Sequence, residues 1–264
     1  MNTDSPGGHS GEPIGQTRLD KSASAVRDMF GAVAPRYDLL NHLLSGCLDR
    51  RWRRRAAQRA SAAAPPGPVL DLCTGTGDQA IAVARAGRSV AAVDSCLPML
   101  GRARTKLRRQ TVAAVPAAAD ALSLPFAENC FAAVTIAFGV RNVEDPAAAL
   151  AEIERVLAPG GRVVVLEFAL PRRRAMRAAY LLYFRYLLPA IAALVSPRGP
   201  AYRYLRDSVL EFPQRDGFRP LLEAAGFEEV SWTDLSAGAV CLYEGCKPSA
   251  QPQPASPRTP RRSP

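Results

Sequence analysis

The most restrictive feature of this chain is one turn. The apolar run Pro-Val-Leu-Asp-Leu-Cys (68–73) passes straight into Thr74-Gly75-Thr76-Gly77-Asp78 and then into the helical run Ala-Ile-Ala-Val-Ala-Arg-Ala-Gly (80–87). Two glycines let the backbone turn tightly and let a ligand approach with no Cβ in the way. The pattern then repeats. Residues 89–94 read as a second strand, and a helix starts near Leu97 with Pro98 in its first turn, where the missing N–H is harmless. Short apolar runs follow at 112–118, 131–138 and 162–168, and a helix at 146–157 opens on Asp145-Pro146. Strands alternating with helices predict an α/β fold, a doubly wound and mostly parallel sheet covered on both faces.

The flanks modify that plan. Val26, Met29, Phe30 and Val33 have helical spacing, which Leu39, Leu40, Leu43 and Leu44 continue after a break at residues 35–38. After Phe168 comes an Arg-studded, Tyr-rich helical insert over about 171–210. A helix near 215–225 then ends at Gly226. The runs 227–234 and 238–245 face each other across Ser236-Ala237-Gly238 and read as a hairpin. Seven strands with an antiparallel C-terminal hairpin are the layout of class I methyltransferases. The domain is expected over 23–247. Residues 1–22 and 248–264, rich in Gly, Pro, Ser and charge, are expected to be disordered tails.

Composition excludes several classes. The net charge is +10, yet only Lys21, Lys106 and Lys247 of the 34 basic residues are lysines, a pattern of codon bias that makes much of the charge background. Arg258, Arg261 and Arg262 have no interleaved aromatics, so no nucleic-acid partner is expected. Six cysteines without a C-x-x-C pair and only two histidines argue against a metal site and a disulfide scaffold. No basic start leads into an apolar run, so a cytoplasmic protein is expected. The apolar stretch 178–195 carries Arg185 and Pro189 at its centre and reads as a buried or interfacial helix, not a membrane span. Arg50, Arg51, Arg53, Arg54 and Arg55 read as a solvated face near anionic lipid.

The Gly-rich turn alone suits a dinucleotide oxidoreductase equally well, since Ala80 fills the third position that the looser fingerprint allows. Asp94, seventeen residues after Gly77, is placed to accept hydrogen bonds from both ribose hydroxyls of an adenosine. Asp120-Ala121, followed by Leu-Pro-Phe (124–126), resembles the adenine-edge loop of methyltransferases. Asp71, Asp94, Asp120 and the run 159–168 stand in the order of that fold's motifs. The [DNS]-P-P-[YF] tetrad of N-methylating enzymes is replaced by Ala-Phe-Gly-Val-Arg-Asn (137–142).

Over residues 25–247 the chain resembles the ubiquinone and menaquinone biosynthesis C-methyltransferases. The resemblance rests on FGAVAPRYDLLNHLLSGCLDRRWRR (30–54), VLDLCTGTGD (69–78), FGVRNVEDP (138–146), LAPGGRVVVLEF (157–168) and SAGAVCLYEGCKP (236–248). It implies S-adenosyl-L-methionine as cofactor, contacted at Thr76, Asp94, Asp120 and Ala121, with Ala137 where the family usually has Ser; Asp71, Gly75 and Gly77 of the Gly-rich turn complete the expected cofactor site. It implies C-methylation of a polyprenylated quinol, demethylmenaquinol to menaquinol, or alternatively a benzoquinol of the ubiquinone pathway or both. Arg141 would stabilise a developing phenolate and Asn142 orient a water or the ring oxygen. The segment of Tyr37, Asp38 and Asn41 would close over the cofactor, with Asp38, or a water held by Tyr37, taking the quinol proton.

The insert, with Tyr180, Leu181, Leu182, Tyr183, Phe184, Tyr186, Leu187, Leu188 and Ile191, is expected to form a lipid-facing lid with Arg172, Arg173, Arg174 and Arg177 near anionic head groups. A core helix or a homodimer contact is the alternative. The remote alternative is a basic membrane- or nucleic-acid-binding module with a vestigial cofactor fold, against which the intact Gly75, Gly77, Asp94 and Arg141 count.

Overall fold

The computed structural model describes residues 20–62, 65–187 and 199–249. Most of both expected tails, together with Leu188 and Ile191 of the insert, lies outside the described residues.

One seven-stranded sheet organises the chain, in the order β3-β2-β1-β4-β5-β7-β6. Its strands are β1 (Val69–Leu72), β2 (Val90–Asp94), β3 (Ala114–Ala118), β4 (Phe131–Ala137), β5 (Leu157–Phe168), β6 (Glu228–Leu235) and β7 (Val240–Cys246). The first five are mutually parallel, and β7 runs antiparallel to β5 and β6. Pro116 is tolerated in β3 because that strand is an edge. Along β5 the side chains alternate between two cores. Val163 and Val165 join Leu150, Ile153, Phe218 and Leu222 on one face, while Val164 and Leu166 join Trp52, Ala56, Leu100 and Leu107 on the other. A period of two with both faces apolar is what a doubly covered strand requires.

The helices are α1 (Ala23–Val33), α2 (Tyr37–Leu44), α3 (Leu48–Ser61), α4 (Asp78–Arg85), α5 (Leu97–Gln110), α6 (Pro146–Val156), α7 (Arg174–Leu182), α8 (Gly199–Glu211) and α9 (Arg219–Ala224). The expected break at 35–38 is a single tight turn, Ala34–Arg36, so Tyr37 and Asp38 already lie in the first turn of α2. The helix expected at 215–225 is shorter, because Arg215 takes a positive φ and is held by Asp234, Leu170 O, Gly238 O and the Tyr243 hydroxyl. Strand β5 begins at Leu157, earlier than expected, and Gly161 lies so close to Ala158 O that a Cβ would sit 2.7 Å from it.

Strand order reverses between β1 and β4, which opens a crevice beyond their carboxyl ends. The loops after β1, β2, β3 and β4 converge there, α1 to α3 cover it, and α7 and α8 close its far side. No helix among the described residues is long and apolar enough to cross a membrane.

Candidate active site

Two cavities occupy the crevice. The first is built on the Gly-rich turn. Asp71 is fully buried beneath it and accepts from Thr74 Oγ1 (2.5 Å) and Thr135 Oγ1 (2.8 Å). The turn is closed by Gly77 N donating to Thr74 O (2.9 Å). Asp71 and Gly77 do not line the cavity. Asp71 holds the loop from below, and Gly77 starts α4 at φ +88°, packed on Ala103 of α5. Both were expected as cofactor contacts; their position instead supports the turn that lines the cavity.

Burial pushes the Asp71 carboxyl up to about 6, although its two threonine donors pull the other way. A raised carboxyl contributes fully to stability below its unfolded value of 3.8 and loses that contribution as pH rises through about 6. Asp71→Asn escapes this loss. Relative to wild type its unfolding free energy is expected to rise between pH 4 and pH 7 by up to about 3 kcal/mol. Urea titrations at the two pH values check it, and a pH-independent difference would contradict the burial argument.

Asp94 closes β2 and lines the cavity, its Oδ2 accepting from Gly75 N and its Oδ1 from Cys96 N, both at 2.8 Å. Each oxygen keeps a lone pair for a ligand diol. Asp120 ends the β3 loop, accepting from Leu122 N (3.0 Å), and Ala121 and Leu122 form an apolar wall beside it. From β4 comes Asn142, whose Oδ1 is buried without a partner while Nδ2 faces Phe138 O at 3.4 Å. A carboxylate for a diol, a polar edge, an apolar wall and an orphaned acceptor fit an adenosine-bearing ligand. Gly75, Thr76, Asp94, Asp120 and Ala121 all line this cavity, and so does Asn142.

Asp38 is placed elsewhere. Its Oδ1 accepts from Thr76 Oγ1 (2.5 Å) and its Oδ2 from Lys106 Nζ (2.7 Å), which also pairs with Asp78 at 2.5 Å. It was expected to take a proton from substrate, but it lines neither of the two cavities. It clamps α2 to the Gly-rich turn. His42, Asp49 and Asp78 bring ligand atoms within 4.8 Å of one another, but His42 Nδ1 pairs with Asp49 (2.8 Å) and Lys106 with Asp78.

The second cavity is apolar, walled by Met29, Val33, Leu40, Leu44, Trp52, Phe168 and Leu205, with Tyr180, Tyr183 and Tyr204 from the insert. Tyr183 Oη donates to Leu44 O (2.7 Å) and Tyr180 Oη to Ala239 O (3.5 Å), pinning the insert over α2 and the hairpin. Four side chains line both cavities: Phe30, Tyr37, Arg53 and Phe138. Phe138 stands at φ +62°, a costly conformation for a bulky residue. It is held there by its N–H on Leu166 O (2.7 Å) and by its ring 4.5 Å from that of Phe168. The chain can turn so sharply only because Gly139 follows, where a Cβ would stand 2.5 Å from Cys73 Cβ. Burial pushes the Tyr37 hydroxyl up, so it is a hydrogen-bond donor at neutral pH.

Arg141 lines the apolar cavity and is buried. Its Nη1 donates to Glu167 Oε1 (2.6 Å) and Phe138 O (2.7 Å), and its Nε to Ser208 Oγ (3.3 Å). Nη2 has no hydrogen-bond partner among the described residues. Glu167 is 0% exposed and its Oε2 is unpartnered, and burial drives its carboxyl upward against the pull of Arg141. The ion pair was missed in the sequence, where the one signal was an acidic residue at the end of the buried run Val-Val-Val-Leu-Glu-Phe.

The basic run of α3 is split by helical geometry. Arg50, Arg51, Arg54 and Arg55 are exposed, as expected of a solvated face. Arg53 is 7% exposed, which corrects that expectation for one residue. It falls on the buried stripe Asp49, Trp52, Arg53, Ala56, Ala57, Ala60, whose i, i+3, i+4, i+7 spacing could have revealed it.

This architecture recurs in solved structures of low sequence identity. A crystal structure described as a SAM-dependent methyltransferase, possible histamine N-methyltransferase, from Thermotoga maritima has a TM-score of 0.57 at 20% identity, with 83% of this chain and 99% of that one covered. The [4+2]-cyclase SpnF has a TM-score of 0.58 at 20% identity, covering 85% and 96%. Such likeness defines the fold, and a cyclase among the neighbours illustrates that a fold alone does not fix an activity. The fold is that of the class I methyltransferases, with a cavity suited to a nucleoside at its switch point.

The family is given by sequence. Residues 17–247 match the model of the ubiE/COQ5 methyltransferase family, and the chain belongs to that family. A demethylmenaquinone methyltransferase of Thermus thermophilus is 46% identical over 222 residues, 83% of this chain and 100% of that protein. A protein of Geobacter sulfurreducens named ubiquinone/menaquinone biosynthesis C-methyltransferase UbiE is 43% identical over 239 residues, 87% of this chain and 91% of that one.

Proposed function

We propose that this chain transfers the methyl group of S-adenosylmethionine to a ring carbon of a polyprenylated quinol, converting a demethylmenaquinol to a menaquinol. The observation that carries the reading is the shared wall: a polar nucleoside cavity and an apolar aromatic cavity meet at Phe30, Tyr37, Arg53 and Phe138. The names of the Thermus and Geobacter relatives support the substrate class. The aromatic walls of Trp52, Phe138 and Phe168 favour a fused naphthoquinol ring over a methoxy-substituted benzoquinol.

When bound, the cofactor supplies an electrophilic sulfonium methyl. Asp94 and Asp120 hold its nucleoside, and Asn142 offers its orphaned Oδ1 from the opposite wall. A ring carbon becomes nucleophilic only when an ortho hydroxyl gives up its proton. Arg141 and Tyr37 both line the apolar cavity, and we assign Arg141 Nη2 and the Tyr37 hydroxyl to donate to that oxygen. Arg141 and Tyr37 would hold the ring oxygen while its proton passes to water, and the ring C–H proton displaced by the incoming methyl would likewise pass to water, restoring aromaticity.

A prenyl tail needs a route from the bilayer. Leu39 (58% exposed) and Leu43 on α2, and Leu181, Leu182 (60%), Tyr186 and Leu187 on the insert, are exposed apolar residues on the two segments joined by the Tyr183 to Leu44 bond. Arg172, Arg173, Arg174 and Arg177 are exposed at the start of the insert, Arg172 pairing with Asp216 (3.6 Å) over the Trp232 ring. We assign this surface to docking on an anionic membrane, with a homodimer contact as the competing use. In vesicle flotation, binding is expected to require anionic lipid, to weaken with salt and to fall when the four arginines become glutamine. Indifference to vesicles, with a dimer in sedimentation, would favour the competing use.

The reaction is tested by supplying tritiated S-adenosylmethionine with reduced demethylmenaquinone and with the benzoquinol side by side. Label is expected in the naphthoquinol product only when the substrate is reduced. Equal labelling of the oxidised quinone would contradict the phenolate argument.

A further inference from the structure

Buried cations in proteins are normally paired, because desolvating a charge without a partner is costly. Arg53 is 7% exposed and makes no ion pair and no hydrogen bond among the described residues, and its Nε is buried and unsatisfied. Its guanidinium stands over the Phe138 ring, 5.2 Å from the centroid, in the wall shared by the two cavities. The neighbouring carboxylates are engaged: Asp94 by backbone amides, Asp71 by Thr74 and Thr135, and Asp49 by His42 and Ser45. Arg141, the other buried cation of the site, is neutralised by Glu167 at 2.6 Å, Arg27 at the cofactor cavity is only half-buried, and Tyr37 carries no charge at neutral pH. Arg53 is thus the buried cation of the shared wall that has no ion pair among the described residues.

We propose that Arg53 is the residue that holds the ring oxyanion of the substrate, supplying the net positive charge that Arg141 lacks. The proposal deepens the quinol methyltransferase reading and rests on it for the identity of the anion. A guanidinium beside the shared wall lowers the cost of ionising the ring hydroxyl before methyl transfer and leaves the cofactor cavity's polar contacts to Asp94, Asp120 and Asn142. The carboxylate of the cofactor's amino-acid moiety is the other anion within the class, and the two are separable.

The test uses Arg53→Met and Arg53→Lys in the full chain, with 1-naphthol as a probe whose ionisation is read by absorbance while bound. In the wild type the bound probe is expected to ionise about one pH unit or more below the free probe. Arg53→Met is expected to abolish that shift, Arg53→Lys to restore part of it, and both to keep S-adenosylmethionine affinity within about threefold of wild type by calorimetry. Turnover on the reduced naphthoquinol should fall about a hundredfold in Arg53→Met, with its acid limb moved to higher pH. Thermal unfolding of Arg53→Met should not come earlier than wild type, because the change removes an uncompensated charge. The proposal is overturned if probe ionisation is the same in wild type and Arg53→Met. It is equally overturned if cofactor affinity drops tenfold or more while the probe shift persists. A wild type that methylates no quinol yet lowers the probe's ionisation through Arg53 would refute the quinol reading and retain the oxyanion site.

Discussion

Arg141→Ala is expected to lose both turnover and stability, for separable reasons. Truncation leaves Glu167 fully buried, with neither carboxylate oxygen bonded to a cation, and breaking one side of a buried pair typically costs about 3–5 kcal/mol. Turnover is expected to fall by two or more orders of magnitude as the ring oxygen loses a donor. The pair Arg141→Met with Glu167→Leu removes both charges together and is expected to recover most of the stability while staying inactive. Urea denaturation and initial rates on the same preparations give both readouts. A stable double variant with wild-type turnover would remove Arg141 from the chemistry and leave it a purely structural ion pair.

Asp94→Ala is expected to raise the dissociation constant for S-adenosylmethionine by about 30- to 150-fold, equivalent to about 2–3 kcal/mol for a charge-assisted bond. Two mechanisms add. The ribose diol loses its acceptor, and Gly75 N and Cys96 N lose the carboxylate that fixes the turn around the ligand. The fold should survive, because β2 keeps Val90, Ala92 and Val93 buried. Asp94→Asn separates the mechanisms: it retains an acceptor for one amide and is expected to bind better than alanine and worse than wild type. Calorimetry with unchanged affinity in the alanine variant would refute the cofactor cavity.

The sheet was legible because its strands are short apolar runs punctuated by glycine and proline, and because helices of ordinary length separate them. The carboxylates at the ends of β2 and β3 were legible for the same reason, since a residue at a strand's carboxyl end in this topology has to face the crevice. What sequence concealed was pairing. Glu167 and Arg141 are 26 residues apart and meet only once β5 lies beside β4. Asp38 has the residue type of a base, but the approach of α5 gives it Lys106. Arg53 hid within a basic run that looked uniformly solvated until the helical stripe separated it from its neighbours. Asp71 sits in the motif, yet strand alternation turns it beneath the loop toward Thr135 of β4.

The central claim is that the two cavities deliver a methyl group to carbon at their shared wall. Its most direct test is a reaction with carbon-13-labelled S-adenosylmethionine and reduced demethylmenaquinone, with the product's labelled methyl located by NMR. Wild type is expected to form a methyl bonded to the quinone ring carbon, nearly absent in Asp94→Ala. A methyl ether on the ring oxygen, or ring methylation undiminished in Asp94→Ala, would contradict it.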